Sequence, residues 1–190
     1  MTLYAIGDKE NGVLEINQSR LHAAYPKWGP DYQVSFDITV NKLPSAAGGW
    51  TNVIHATING NHGTYGERNP SVWIHNSGYM LITAAVNGDV NFGYNYHFEL
   101  KKPFHLTIRQ ATTGKKTLYQ IIVDGKQLFG VLNTKPGQFA NMKVFTSDPW
   151  YPSFTSDLGT VKNLQILTGA DCLKGLPAPK IKPDVSCKFR

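Results

Sequence analysis

The strongest constraint in this sequence is a period-two alternation of apolar and polar side chains. In YQVSFDITV (32–40), every second residue from Val34 to Val40 is apolar. Similar segments, rich in β-branched and aromatic residues, occupy 52–60, 71–76, 79–86, 104–110, 117–125, 142–147 and 159–167. Side chains of a strand alternate between its two faces, and no segment shows the 3.6-residue spacing of an amphipathic helix. The pattern predicts an all-β fold of about ten to thirteen strands, a two-sheet antiparallel jelly-roll sandwich.

Turn signals separate these segments and fix the expected core. Asp124-Gly125 lies between two apolar runs and predicts a two-residue hairpin, and Asn-Ser-Gly at 76–78 predicts another turn. The inward positions of the strands give the predicted core: Val34, Phe36, Ile38, Val72, Ile74, Leu106, Ile108, Ile121, Val123, Val144 and Leu164.

The charge pattern argues against a nucleic-acid ligand. The net charge is +6, but the lysines and arginines are scattered and form no basic run. Basic residues and aromatic residues also do not interleave as a stacking platform for bases requires. No apolar run approaches the roughly 18 residues of a membrane span. We therefore predict no nucleic-acid partner and no transmembrane segment.

Two cysteines occur in the sequence, Cys172 and Cys187, both near its end. A disulfide between them would close the tail 169–190, which we separate from a predicted domain at 1–168; two free thiols are the alternative. A structural zinc site needs four ligands, which this tail does not offer. The N-terminus lacks the basic-then-apolar order of a signal peptide, so the chain is either cytosolic or begins after a removed signal. A disulfide would favour the secreted, extracellular location that we predict.

The loop FTSDPWYPSFTSD (145–157) gathers aromatic residues where prolines restrict the backbone. Trp150 and Tyr151 lie between Pro149 and Pro152, which lowers the entropy cost of holding the rings in place. A rigid exposed ring can stack on the apolar face of a pyranose, and Asp148 could bind its hydroxyl groups. Alternatively, one of the rings folds back and covers the end of the core.

A second polar loop, NGNHGTYGERNP (59–70), is long for a hairpin connection, and such loops often carry function. Asn61, His62 and Arg68 are its candidate ligand-binding residues. Tyr94 and Asn95, in the polar string NGDVNFGYN (87–95), complete the predicted set.

The order of the segments resembles the concanavalin A-like lectin and glucanase superfamily, which includes laminin G-like domains, pentraxins and galectins. In laminin G-like domains a strand ending in Val-Asp-Gly precedes a further strand, a loop, and a Gly-x-Ile/Val-x-Asn-Leu segment. The matching residues here are Val123, Asp124, Gly125, Gly159, Val161, Asn163 and Leu164. The resemblance covers residues 1–168 at the level of the superfamily and implies the sandwich fold, but this fold hosts many activities.

Calcium is the cofactor that the resemblance implies, because several of these proteins hold it in loops at the rim of the sandwich. Asp89, Asn91 and Asp157 are the candidate ligands, since carboxylate and amide oxygens suit calcium. Ordinary turn chemistry of Asn and Asp is the alternative.

Catalytic signatures are not evident in the sequence. Glycoside hydrolysis requires a pair of carboxylates, whereas Asp37, Glu99 and Asp124 each stand alone on a predicted strand. We therefore predict a non-enzymatic module that binds a glycan or glycoprotein, with homo-oligomerisation left open. A protein-binding adhesion module is the first alternative, and a polysaccharide lyase or glycoside hydrolase is the second.

Overall fold

The computed structural model describes residues 4–5, 12–16, 19–45, 48–151 and 156–169. Within these ranges the chain forms strands, turns and irregular segments but no helix. The strands are β1 (Tyr4–Ala5), β2 (Val13–Glu15), β3 (Arg20–Trp28), β4 (Tyr32–Val40), β5 (Trp50–Thr57), β6 (Ser71–His75), β7 (Tyr79–Val86), β8 (Asp89–His97), β9 (Phe104–Thr113), β10 (Lys116–Val123), β11 (Lys126–Asn133), β12 (Phe139–Thr146) and β13 (Gly159–Thr168).

Two antiparallel sheets contain these strands. The seven-stranded sheet has the order β1-β13-β4-β9-β10-β11, with β2 also paired to β13. The six-stranded sheet has the order β3-β12-β5-β6-β7-β8. The predicted all-β, two-sheet jelly-roll sandwich is therefore confirmed.

The core lies between the facing sides of the two sheets. All eleven predicted core residues belong to its buried cluster, together with the rings of Trp28, Tyr32 and Tyr119. Asn133 joins the sheets at one end, because its Nδ2 donates to the carbonyl oxygen of Ala85 at 3.2 Å and to Oε1 of Gln110 at 2.7 Å. These hydrogen bonds hold the β7–β8 turn against the end of β11.

The hairpin turns follow from residues that tolerate positive φ. Asp124 and Gly125 have φ of 49° and 74°, as a two-residue type I′ turn requires, and they join β10 to β11 as predicted. Asn87 and Gly88, with φ of 57° and 87°, join β7 to β8 in the same way.

The polar string 87–95 forms the β7–β8 turn and most of strand β8. Phe92, Tyr94 and Tyr96 pack toward the core, while Asn91 and Asn95 are exposed on the opposite side. The side chains of β8 alternate regularly between the two faces. Asn and Gly at the outward positions have low strand propensity, so the sequence did not indicate a strand here.

Some sequence predictions concern residues that the structure does not describe. The tail 170–190 with Cys172 and Cys187, and Pro152 in the aromatic loop, lie outside the described residues. No helix that could cross a membrane occurs in the described part of the chain.

Candidate functional site

The outer faces of the two sheets carry different side chains. On the seven-stranded sheet, the residues of β4 that alternate with the core are polar: Gln33 and Ser35, which are buried, and Asp37, which is partly exposed. On the six-stranded sheet, the corresponding positions of β6 hold Trp73 and His75. Rings at outward positions depart from the usual pattern, and such departures are expected at functional sites.

Trp73 is the centre of a cluster on this outer face. The ring is 2% exposed and is not part of the core between the sheets. His55 lies 5.5 Å from it and Tyr151 lies 5.1 Å from it, both edge-on, and the guanidinium of Arg68 lies 4.5 Å above its centroid. We call these four residues and Trp150 the Trp73 cluster.

The aromatic loop reaches the cluster because it continues along β5 after β12 ends. The N–H of Ser147 donates to the carbonyl oxygen of Val53 at 3.1 Å, and the N–H of Asn52 donates to that of Tyr151 at 3.0 Å. Asp148 Oδ1 accepts the N–H groups of Trp150 at 3.0 Å and Tyr151 at 2.7 Å. The carboxylate therefore organises the loop and is not free to bind a hydroxyl group.

Trp150 is presented to solvent by this loop. Its side chain is 39% exposed, although its ring contacts His55 at 5.3 Å and Phe145 at 6.1 Å. Tyr151 is half-buried against Trp73. Of the two predicted rings, Trp150 is the one available for stacking.

His55 connects the two predicted loops. Its Nδ1 lies 2.6 Å from Oδ2 of Asp148, and its Nε2 lies 2.5 Å from the carbonyl oxygen of Glu67. The side chains of His55 and Asp148 are fully buried. A carbonyl oxygen only accepts, so the contact with Glu67 requires a proton on Nε2 of His55. The two contacts hold the imidazole between the aromatic loop and the loop 59–70.

Arg68 is buried beside this pair and bonds only to neutral groups. Its Nε donates to the carbonyl oxygen of Asn61 at 3.0 Å, Nη2 to Oδ1 of Asn61 at 2.9 Å, and Nη1 to Oδ1 of Asn91 at 2.8 Å. Burial lowers the pKa of the guanidinium, while the charges of Tyr151 and Asp148 act in the opposite direction. The guanidinium of Arg68 loses hydration on burial. Hydrogen bonds to the oxygens of Asn61 and Asn91 and the cation–π contact with the Trp73 ring compensate for this loss.

The structure brings five of the eight predicted ligand-binding residues together: Trp150, Tyr151, Asp148, Asn61 and Arg68. His62 is exposed in the same loop as Asn61, and Asn95 is exposed on the outer face of β8. Tyr94 points into the sandwich and packs against Phe129 at 5.2 Å, so it does not face the cluster.

The three predicted calcium ligands do not form one site. Asp89 and Asn91 lie at the start of β8, where Oδ1 of Asp89 accepts the N–H of Asn91 at 2.8 Å. Asp157 lies at the opposite end of the sandwich and pairs with Lys42 at 3.6 Å. Among the described residues, no group of three or more His, Cys, Asp or Glu side chains is placed to hold a metal ion.

Sequence reasoning missed the part of the site that lies in strands. His55 and Trp73 fall within the predicted strands 52–60 and 71–76, but the sequence does not indicate a functional role for them, because their contacts join residues that are distant in sequence. A row of partly exposed rings on the same face was also missed. The ring centroids of Trp50 and His75 are 4.5 Å apart, those of His75 and Tyr79 are 4.9 Å apart, and those of Tyr79 and His97 are 6.1 Å apart. The alternation in SVWIHN (71–76) contained the signal, because it places Trp73 and His75 opposite Val72 and Ile74.

A cleft of about 440 Å³ opens on the seven-stranded sheet, away from the Trp73 cluster. Burial alone would raise the pKa of Asp37 in this cleft, but hydrogen bonds from His105 and Asn163 and the nearby Lys162 charge hold it below its ordinary value of 3.8. The polar groups thus satisfy one another, and the lining ring of Phe104 is only 7% exposed. For this reason we favour the Trp73 cluster as the candidate site.

Comparisons with solved structures place the fold among known β-sandwiches. The binding domain of botulinum neurotoxin serotype G is similar over 88% of this chain, with a TM-score of 0.55 and 11% identity. The ligand-binding domain of serotype D, in complex with N-acetylneuraminic acid, is similar over 82% of this chain, with a TM-score of 0.53 and 12% identity. Trypanosoma rangeli sialidase is similar over 72% of this chain, with a TM-score of 0.51 and 15% identity.

This chain spans 41%, 42% and 20% of those three chains, so it corresponds to a part of each. At such low identity the likeness shows the fold alone. No protein-family model and no curated protein sequence matches the chain.

Proposed function

We propose that this chain is a non-enzymatic glycan-binding module whose ligand stacks on Trp150. The observation that carries the proposal is a tryptophan ring, 39% exposed, on a loop fixed by three hydrogen bonds of Asp148. A ring held in this way binds without a large loss of conformational entropy. The similar domain solved with N-acetylneuraminic acid supports carbohydrate as the ligand class.

The chemistry of the cluster supports binding and not hydrolysis. Hydrolysis of a glycosidic bond requires two carboxyl groups across the bond. Asp148 is a carboxyl group beside the Trp73 cluster, and it is fully buried and bonded to His55. The side chains available to a ligand are a ring and amides, which are groups that bind sugars without reacting with them.

The Trp150→Ala variant tests the proposal. An aromatic anchor contributes roughly 2 kcal/mol or more, so affinity for a glycan identified on an array should fall by about thirtyfold. The melting temperature should change little, because the ring is not part of the core. Leu132→Ala is the matched control, since it removes a side chain of similar exposure, 36%, from the seven-stranded sheet. Calorimetric titration and thermal unfolding of both variants provide the measurement.

Two results would count against this role for Trp150. Equal affinities of Trp150→Ala and Leu132→Ala would exclude stacking on the ring. A large loss of stability in Trp150→Ala, with unchanged affinity of the folded fraction, would show that the ring supports the fold.

A protein-binding adhesion module is the second candidate, and one observation favours it. Leu21 is 53% exposed and pairs in register with Phe145, whose ring contacts Trp150. An apolar patch of this kind is typical of a protein interface. A glycan array without hits, together with a captured protein that Leu21→Asp releases, would favour this candidate.

We also propose, as separate points, a calcium ion at Asp89 and Asn91, a secreted location, a disulfide between Cys172 and Cys187, and a homo-oligomer.

A further inference from the structure

Arg68 is a buried cation that forms no hydrogen bond or salt bridge with a carboxylate of the described residues. It is 8% exposed, and its three hydrogen bonds end on Asn61 and Asn91. Buried charges are normally paired, because desolvation of an isolated ion is costly. We propose that the bound saccharide is acidic, and that its carboxylate or sulfate group is recognised at Arg68, Asn61 and Asn91. This inference rests on the proposed glycan-binding function.

The amide groups around Arg68 are oriented as donors toward solvent. A guanidinium has no acceptor, so Asn61 and Asn91 must turn their oxygens to it and their Nδ2 groups away from it. No hydrogen bond within the described part of the chain uses either Nδ2 atom. Asn91 is exposed and Asn61 is half-buried, so both NH₂ groups can reach a ligand. Such a surface selects a ligand that presents acceptors.

The carboxylates near the cluster do not neutralise Arg68 directly. Asp148 bonds to His55 through Oδ2 and to its own loop through Oδ1, and it forms no hydrogen bond with Arg68, although its charge raises the pKa of the guanidinium. Oε2 of Glu67 is turned into its own loop, where it accepts the N–H groups of Gly63 and Thr64. Asp89 lies closest in sequence to Asn91 and bonds to its backbone N–H. The positive charge of Arg68 therefore remains available to an anionic group of the ligand.

Asn91→Asp is the variant that tests the inference. Aspartate keeps an acceptor for Nη1 of Arg68, so folding should be preserved, but it adds a negative charge and removes the donor. Two unit charges about 4–5 Å apart near a surface interact by about 1–4 kcal/mol, so affinity for an acidic saccharide should fall at least about fivefold. Affinity for the matched neutral saccharide should change less than about threefold.

A second pair of variants changes the charge in the other direction. Asp89→Asn removes a negative charge beside Asn91 and should raise the affinity for the acidic saccharide by about twofold to fivefold. Asp157→Asn makes the same chemical change at the far end of the sandwich and should have no effect. The full chain is titrated with oligosaccharides of one backbone in neutral, carboxylated and sulfated forms, and the melting temperature of each variant is recorded.

The outcomes separate the inference from the proposed function. Tighter binding of one acidic form, lost in Asn91→Asp and weakened by added salt, supports the inference and identifies carboxylate or sulfate as the group recognised. Equal affinity for neutral and acidic forms, or an Asn91→Asp variant that folds and binds normally, overturns the inference and leaves the glycan-binding function standing. If the protein binds none of these saccharides and no glycan on an array, both the inference and the proposed glycan-binding function are overturned.

Discussion

Two histidine–aspartate contacts of equal length show how burial decides the role of a residue. His55–Asp148 and His105–Asp37 both have a separation of 2.6 Å between Nδ1 and a carboxylate oxygen. The side chains of the first pair are fully buried, whereas those of the second are 45% and 39% exposed. The first pair also joins two loops, because Nε2 of His55 contacts the carbonyl oxygen of Glu67.

Replacement of each histidine by alanine should therefore have very different effects. His55→Ala leaves the buried carboxyl group of Asp148 without its partner, which should lower the free energy of unfolding by about 3–5 kcal/mol. His105→Ala breaks a solvent-screened contact and should cost about 0–1 kcal/mol. Urea denaturation of both variants measures the difference. Similar losses in the two would contradict the structural role assigned to His55.

At the scale of elements, the contact between the β7–β8 turn and the end of β11 holds the two sheets together at one end. Asn133 is 3% exposed and uses both atoms of its amide: Oδ1 accepts the N–H groups of Asn87 and Lys135, and Nδ2 donates to Ala85 and Gln110. The Asn133→Ala variant should lose about 2–4 kcal/mol of stability, because several buried polar groups lose their partners.

Hydrogen exchange can locate that loss within the fold. The amides of Asn87 and Lys135 should exchange faster in Asn133→Ala than in the unmodified chain, while those of β4 should keep their relative order of protection. Uniform acceleration over the whole chain would contradict a local role for this contact.

The success of the sequence prediction also differs between elements. Central strands such as β4 were predicted with their observed bounds, because burial on one face enforces the alternation. Four strands were missed: the short β1 and β2, and also β3 and β8, which are the two edges of the six-stranded sheet. Pro26 in β3 and the Asn and Gly residues of β8 are tolerated there, since an edge strand has an unpaired side.

The candidate site was predicted only as far as its loops. Proline and glycine mark the segments 59–70 and 145–157 as loops, and this drew attention to Trp150, Asn61 and Arg68. Their convergence on Trp73 depends on the register of β5 against β6 and β12, which a single sequence does not reveal.

For the whole molecule, bound calcium is the proposal that global stability can test. An ion held at Asp89 and Asn91 only in the folded state would stabilise the protein by mass action. Excess chelator should then lower the melting temperature, and Asp89→Asn should remove this effect. A melting curve unchanged by chelator would leave these residues as formers of the β7–β8 turn.

The distribution of the four tryptophans gives the protein an intrinsic optical reporter. Trp28 and Trp73 are 0% and 2% exposed, so a collisional quencher such as acrylamide cannot readily reach their indole rings. Trp150 is 39% exposed and Trp50 is partly exposed, and both lie on the outer side of the six-stranded sheet. Emission that acrylamide quenches therefore comes mainly from that side. A ligand that covers Trp150 should protect this fraction, so occupancy can be followed in unlabelled protein.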